Sequence, residues 1–405
     1  MYRHSPPADS IAMHSNSAWQ VFAIFLRLGL TSFGGPVAHL GYFRQEFVAR
    51  RRWLDEAAYA DLVALCQFLP GPASSQLGMA LGLRQAGLAG ALAAWLGFTL
   101  PSALVMTLLG LGLVAGQGLV PEGVLSGLKV AAVAVVAQAV WGMARHLCRG
   151  WHRLLLMAFA CTLVLLQPGL AGQLGAMLLA ALAGLALWGR GGAAPVSVQA
   201  VPAESAGARA AVGAFLLAVF AALLVLLPLA ARSWPQPWLA LADTFYRVGA
   251  LVFGGGHVVL PLLQAEVVAP GWVALDDFLA GYGLAQALPG PLFSFAAFLG
   301  AAAGGWPQAV VCLVAIFLPA FLLVAGVLPF WERLRHNLRV RAALSGVNAA
   351  VVGVLLAALY DPVWTSAIHT PSDLLLALAV FVELMWGRMP PWLVVPLCGL
   401  MGLWL

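Results

Sequence analysis

The 405-residue chain is 62% hydrophobic and only 9% charged, with 20 basic against 15 acidic residues and a net charge of +5. Soluble domains carry about 25% charged residues, so this composition excludes a water-borne enzyme, a nucleic-acid binder and a disordered scaffold. It leaves an all-α polytopic membrane protein, because the long apolar runs are broken by Gly and Pro and do not alternate as outer-membrane barrel strands do.

In chain order, residues 1–16 form a polar tail with no apolar core or cleavage site of a signal peptide. A first repeat is expected over 17–189. It opens on FLRLGLTSFGGPVAHLGYFRQEF at 25–47, an apolar segment broken at Phe33-Gly34-Gly35. A basic loop follows, then a helix with Asp55 as its cap, then a second break at Pro70-Gly71-Pro72. Crossings are expected at 86–116 and 124–143, followed by an apolar pair broken at Pro168-Gly169. Residues 190–209 are small and polar and read as a cytoplasmic linker. Residues 210–231 supply the ~20 apolar residues of a connecting span.

The second repeat, 237–405, is a copy of the first. Phe25, Arg27, Gly29, Phe33, Gly34, Gly35 and Glu46 meet Phe245, Arg247, Gly249, Phe253, Gly254, Gly255 and Glu266. Pro70-Gly71-Pro72 meets Pro289-Gly290-Pro291, and Lys129 meets Asn348. Crossings are expected again at 305–330 and 342–360, with a final apolar pair broken at Pro390-Pro391.

Loop charge says that the copies are inverted. The loop with Arg44, Arg50, Arg51 and Arg52 matches EVVAPGWVALDD, which has no basic residue. The loop with Arg333, Arg335, Arg339 and Arg341 matches VAGQGLVPEG, which also has none. Basic loops stay cytoplasmic, so equivalent loops of opposite character belong on opposite faces. The expected fold is therefore two inverted homologous repeats with broken, re-entrant helices, the pattern of secondary transporters that hold substrate near the midplane.

Each break frees backbone N–H and C=O groups inside the membrane, tolerable only where they are buried in protein or line a wet cavity. A half-helix that starts after a break presents a positive dipole end to an anion. The candidate oxyanion site is thus Gly34, Gly35, Ser74, Ser75, Gln76, Gly254, Gly255 and Ser294. Arg27, Arg247 and Lys129 lie in apolar runs and are further candidates, since a guanidinium fork suits a tetrahedral oxyanion. Snorkelling to the interface is their competing explanation. His39, Glu46 and Glu266 are candidates for a coupled proton, with Arg44 and Arg50 as the plain ion-pair partners of Glu46. Neither a metal nor a cofactor is expected. The five scattered Cys form no C-x-x-C pair and read as packing residues.

The F-G-G-P-x-x-H at 33–39, the R-R-W-L-D at 51–55 and the Q-x-x-P-G-P at 67–72 with its copy at 286–291 resemble the chromate ion transporter family, in its long two-domain form. The second repeat carries Gly256 and Val259 where the first has Pro36 and His39. The resemblance implies a multi-pass protein of the bacterial inner membrane that exports chromate with the proton motive force and so confers chromate resistance. The partners it implies are chromate, protons and the lipid bilayer, without nucleic acid. Sulfate is a tetrahedral dianion of similar size, so a sulfate carrier stands as the alternative, and an anion channel as the alternative from another class. The oligomeric state is left open, a homodimer included.

Overall fold

A computed structural model of the protein describes residues 16–115, 121–189, 203–253, 256–335, 337–387 and 389–404. The tail before Asn16, linker residues 190–202, and Gly254 and Gly255 lie outside the described residues. The described chain is helical, with no strand among its elements. Its first half contains α1 (Ala18–Thr31), α2 (Gly35–Arg44), α3 (Glu56–Phe68), α4 (Ala73–Ala115), α5 (Glu122–Leu147), α6 (Trp151–Leu166) and α7 (Leu170–Trp188). A lone helix, α8 (Ala203–Ser233), leads to α9 (Pro237–Leu251), α10 (Val259–Val267), α11 (Leu275–Ala287), α12 (Phe295–Gly304) and α13 (Trp306–Val327). A short α14 (Trp331–Arg335) precedes α15 (Leu338–Ala358), α16 (Pro371–Trp386) and α17 (Pro391–Met401).

The helix starts are written locally. Ser17 and Gln20 form a capping box on α1, and Asp55 accepts from the Ala58 amide at 2.7 Å to open α3. The helix α8 begins at Ala203, inside the stretch read as linker, because AESAGARAA is rich in strong helix formers.

The helix α4 is not one rod. Ala86 (φ −141°, ψ 30°) and Gly87 (φ 60°, ψ −151°) leave helical geometry and fold the chain back on itself. Gly82 then faces the Gly90 carbonyl so closely that no Cβ would fit at either position. The second half repeats this turn at Gly305 (φ 89°), where Gly300 of α12 faces the Gln308 backbone of α13. The two arms of α4 therefore correspond to α12 and α13, and the order of elements is the same in both halves.

Helix length separates two populations. The helices α1, α2 and α3 have 14, 10 and 13 residues. At ~1.5 Å per residue they are about 15–21 Å long, short of the ~30 Å hydrocarbon core. The helices α5, α13 and α15 have 26, 22 and 21 residues and reach about 30 Å or more. Among the described residues, six stretches are long and apolar enough to cross a membrane, and one of them, 73–113, is the folded-back α4.

The halves exchange partners. The helix α5 packs on α16 and α17, and α15 packs on α6 and α7. Both contacts are glycine crossings, with Gly127 against the Cys398 carbonyl and Gly346 against the Ala180 carbonyl. Small residues let the backbones approach without a solvent-driven hydrophobic term. The helix α8 lies outside, against α13 and α9, and presents Phe215, Val225, Leu226 and Leu229 outward. That apolar face suits lipid.

Candidate functional site

The four breaks meet in pairs, each pair joining opposite halves. The Gly71 amide, in the first PGP turn, donates to the Val252 carbonyl at 2.6 Å. The Gly290 amide, in the second PGP turn, donates to the Ser32 carbonyl at 3.0 Å. Ser32 and Val252 occupy the same place in the two repeats, immediately before the FGG breaks. Gly71 and Gly290 have φ of 124° and 97°, a region that L side chains avoid. A Cβ on Gly290 would stand 2.9 Å from Ser102 Oγ and 3.1 Å from the Phe98 carbonyl oxygen. On Gly71 it would meet the Gln76 amide at 2.8 Å and Ala320, the counterpart of Ser102, at 3.2 Å.

Polar groups collect around these junctions. His39, fully buried on α2, places Nε2 3.2 Å from the same Ser32 carbonyl and packs edge-on to Phe98. Gln76 is fully buried and donates from Nε2 to the Pro70 carbonyl at 2.7 Å, bracing the first PGP turn. Ser74, Ser75 and Ser294 are each 2% exposed at the starts of the half-helices after the breaks. Ser32 Oγ, Ser75 Oγ, Thr99 Oγ1, Gln76 Oε1 and His39 Nδ1 are buried without a hydrogen-bond partner among the described residues. An unpaired polar group of this kind is costly in an apolar interior and marks a place where a ligand or water completes the bonding. Sequence reasoning missed Ser32 and Ser102. Their only local signals are adjacency to the FGG break and to Pro101.

The Arg and acidic candidates are placed differently from one another. Arg27 lies on the exposed face of α1, in line with Trp19 and Leu30, and pairs with no described residue through its guanidinium. Its counterpart Arg247 is held by Asp243 at 2.8 Å and by Glu266 at 3.0 Å. Glu46 pairs with Arg51 at 2.6 Å and Arg50 at 3.1 Å. Arg44, expected to share Glu46, reaches instead across the basic loop to Glu56 at 2.5 Å. Burial pushes the Glu46 carboxyl up, but the bonds from Arg51 and Arg50 outweigh it and hold it below the usual carboxylate range. Lys129 is bound to Asp276 at 3.0 Å, joining α5 to α11. Gly34 and Gly35 have φ of 95° and 73°, and a Cβ at Gly35 would meet open space.

Fold and site together define an all-α, polytopic membrane protein whose polar interior is built from helix breaks. Comparison with known proteins is specific. The chromate transporter family profile matches residues 19–188 and again 239–403, once in each half. The chain belongs to the chromate transporter family. It is 33% identical to a chromate transport protein of Pseudomonas aeruginosa over 87% of this chain and 83% of the relative. It is 29% identical to a probable chromate transport protein of Synechococcus elongatus, over 87% and 86%. It is also 28% identical to a chromate transport protein of Cupriavidus metallidurans, over 95% and 92%. No solved structure matches the chain.

Proposed function

We propose that this protein is a secondary carrier that exports chromate across the bacterial inner membrane, driven by the proton motive force, and so confers resistance to chromate. The observation that carries the reading is the paired docking of Gly71 on Val252 and of Gly290 on Ser32. It gathers broken backbone, helix starts and unpaired hydroxyls into the protein interior. Those donors suit a tetrahedral oxyanion. Membership of the family and the names of the relatives supply chromate as the ion.

The two halves are related by inversion in this reading. The helices α1, α2, α3 and the first arm of α4 enter from the cytoplasm and return to it. The helices α9 to α12 do the same from outside. Inverted repeats about a midplane site favour alternating access over a continuous channel. Ser74, Ser75 and Gln76 line the substrate site from the first half, and Ser294 from the second, with the glycines Gly34 and Gly35 setting the first break. Among the proton candidates, Glu46 and Glu266 already serve as partners of Arg residues. His39 carries the proton in this reading, because it shares the Ser32 carbonyl with Gly290 and keeps Nδ1 unpartnered.

Cells that express the protein should accumulate less chromate than cells without it, and an uncoupler should abolish the difference. Equal accumulation in energised cells would refute export.

A further inference from the structure

The repeats are packed alike at their centre and unalike at their rims. In the second half, α10 rests on α7 and α15, and α11 rests on α5 and α17. The corresponding helices of the first half, α2 and α3, make no comparable packing on their counterparts α17, α5, α15 and α7. One residue pair shows the difference. Gly283 of α11 is buried, and a Cβ on it would lie 3.0 Å from the Leu128 carbonyl oxygen of α5. Its counterpart Ala64 on α3 is exposed and borders a cavity of about 590 Å³ in front of α15.

The polar lining of that cavity is Gln67, Arg153, Arg341, Ser345 and Asn348, and no carboxylate is among its described lining residues. The nearest acid on this face of α3, Asp61, is neutralised by Arg335 at 2.7 Å. Arg341 is exposed, and its guanidinium bonds to no described residue. Arg153 stacks over the Trp188 ring at 5.4 Å, which fixes its guanidinium plane at the cavity wall. The closed side is also fastened where the open side is not. Lys129 and Asp276 join α5 to α11, whereas their counterparts are Asn348 and Ala57, which form no ion pair.

We propose that the cavity between α3 and α15 is the loading site of the transport pathway, where Arg341 and Arg153 receive a tetrahedral oxyanion dianion from the cytoplasm before it passes to the helix breaks. The inference rests on the carrier reading above and adds residues that it does not contain. A cavity of this size, within the range of about 300–1,000 Å³ typical of ligand pockets, holds the anion together with part of its hydration shell. Two forked guanidinium groups then bind without full desolvation, so the site collects its ion and releases it readily. Movement of α3 onto α15, in the manner of α11 on α5, would empty the cavity inward. The structure described is accordingly the cytoplasm-open state.

The test uses the full-length protein in inside-out membrane vesicles with chromate as the probe. Arg341→Gln and Arg153→Gln should each raise the KM for chromate by about tenfold, the weight of one lost charge-assisted hydrogen bond, with the maximal rate retained. Arg341→Lys should recover part of the loss. Ser345→Cys should react with a membrane-impermeant anionic thiol reagent, above the background of the parent protein, and chromate should slow that reaction. If the parent protein moves no chromate, the carrier reading fails and takes this inference with it. If the parent is active while both Arg variants keep its KM, only the loading site is overturned. Where an Arg variant does not fold, a Ser345→Cys reaction indifferent to chromate overturns the loading site equally.

Discussion

The Gly290 amide donates to the Ser32 carbonyl at 3.0 Å, and this bond has a twin, Gly71 to Val252, at the equivalent place in the other pair of breaks. Each PGP turn thus docks on the opposite half, so neither half forms these junctions alone. Breaks that would be defects in single helices satisfy one another across the junction.

Gly290→Ala should destabilise the protein more than Gly35→Ala. Both positions have positive φ, which costs about 1–2 kcal/mol with a Cβ present. At Gly290 the new Cβ also meets Ser102 Oγ and the Phe98 carbonyl, whereas at Gly35 it meets open space. Thermal unfolding in detergent, read for both variants, checks the order. Transport should be lost in Gly290→Ala because the second PGP turn can no longer sit on Ser32.

The equivalent arginines should respond differently to removal of charge. Arg247→Gln leaves Asp243 and Glu266, both largely buried, facing each other without a cation. Breaking a fully buried pair costs about 3–5 kcal/mol, and this partly exposed cluster should lose about half of that. Arg27→Gln, on the exposed face of α1, should change stability by no more than about 0.5 kcal/mol. Denaturation midpoints of the two variants, measured side by side, decide it.

Glu46 should contribute stability in a defined pH window. Its folded carboxyl titrates below the unfolded one because Arg51 and Arg50 hold it. The contribution is therefore complete above the unfolded carboxylate range and disappears as pH falls through the lower, folded value. Glu46→Gln should lower Tm at neutral pH, and the gap to the parent should close as the medium is acidified. A gap that stays constant with pH would show that the ion pairs are not its source.

Single cysteines placed beside Arg51 and beside Gly271 should react with an impermeant reagent from opposite faces of the membrane. These sites follow equivalent helices, so labelling from one face alone would rule out inversion.

Much of the fold is legible in the sequence because membrane folding is governed by local necessities. Gly-Gly and Pro-Gly-Pro must end helices, and they do so at Thr31 and Phe68. The pairs broken at Pro168-Gly169 and Pro390-Pro391 emerge as α6 with α7 and α16 with α17. The cap Asp55 is equally local. Long-range pairings carry no such mark. Nothing beside Lys129 points to Asp276, and nothing beside Asp61 points to Arg335. Arg27 and Arg247 occupy matching positions in sequence, yet only the second has acids within reach, because Asp243 precedes it by one helical turn. The cavity residues Arg153 and Arg341 read in sequence as ordinary cytoplasmic charges. Only the unequal packing of α3 and α11 sets them apart.

Chromate uptake into energised inside-out vesicles, with sulfate as competitor, tests the carrier mechanism most directly. Uptake should depend on the proton gradient, collapse with an uncoupler and be lost in Gly290→Ala. Uptake that is absent, or that persists unchanged without the gradient, would contradict proton-driven export of chromate.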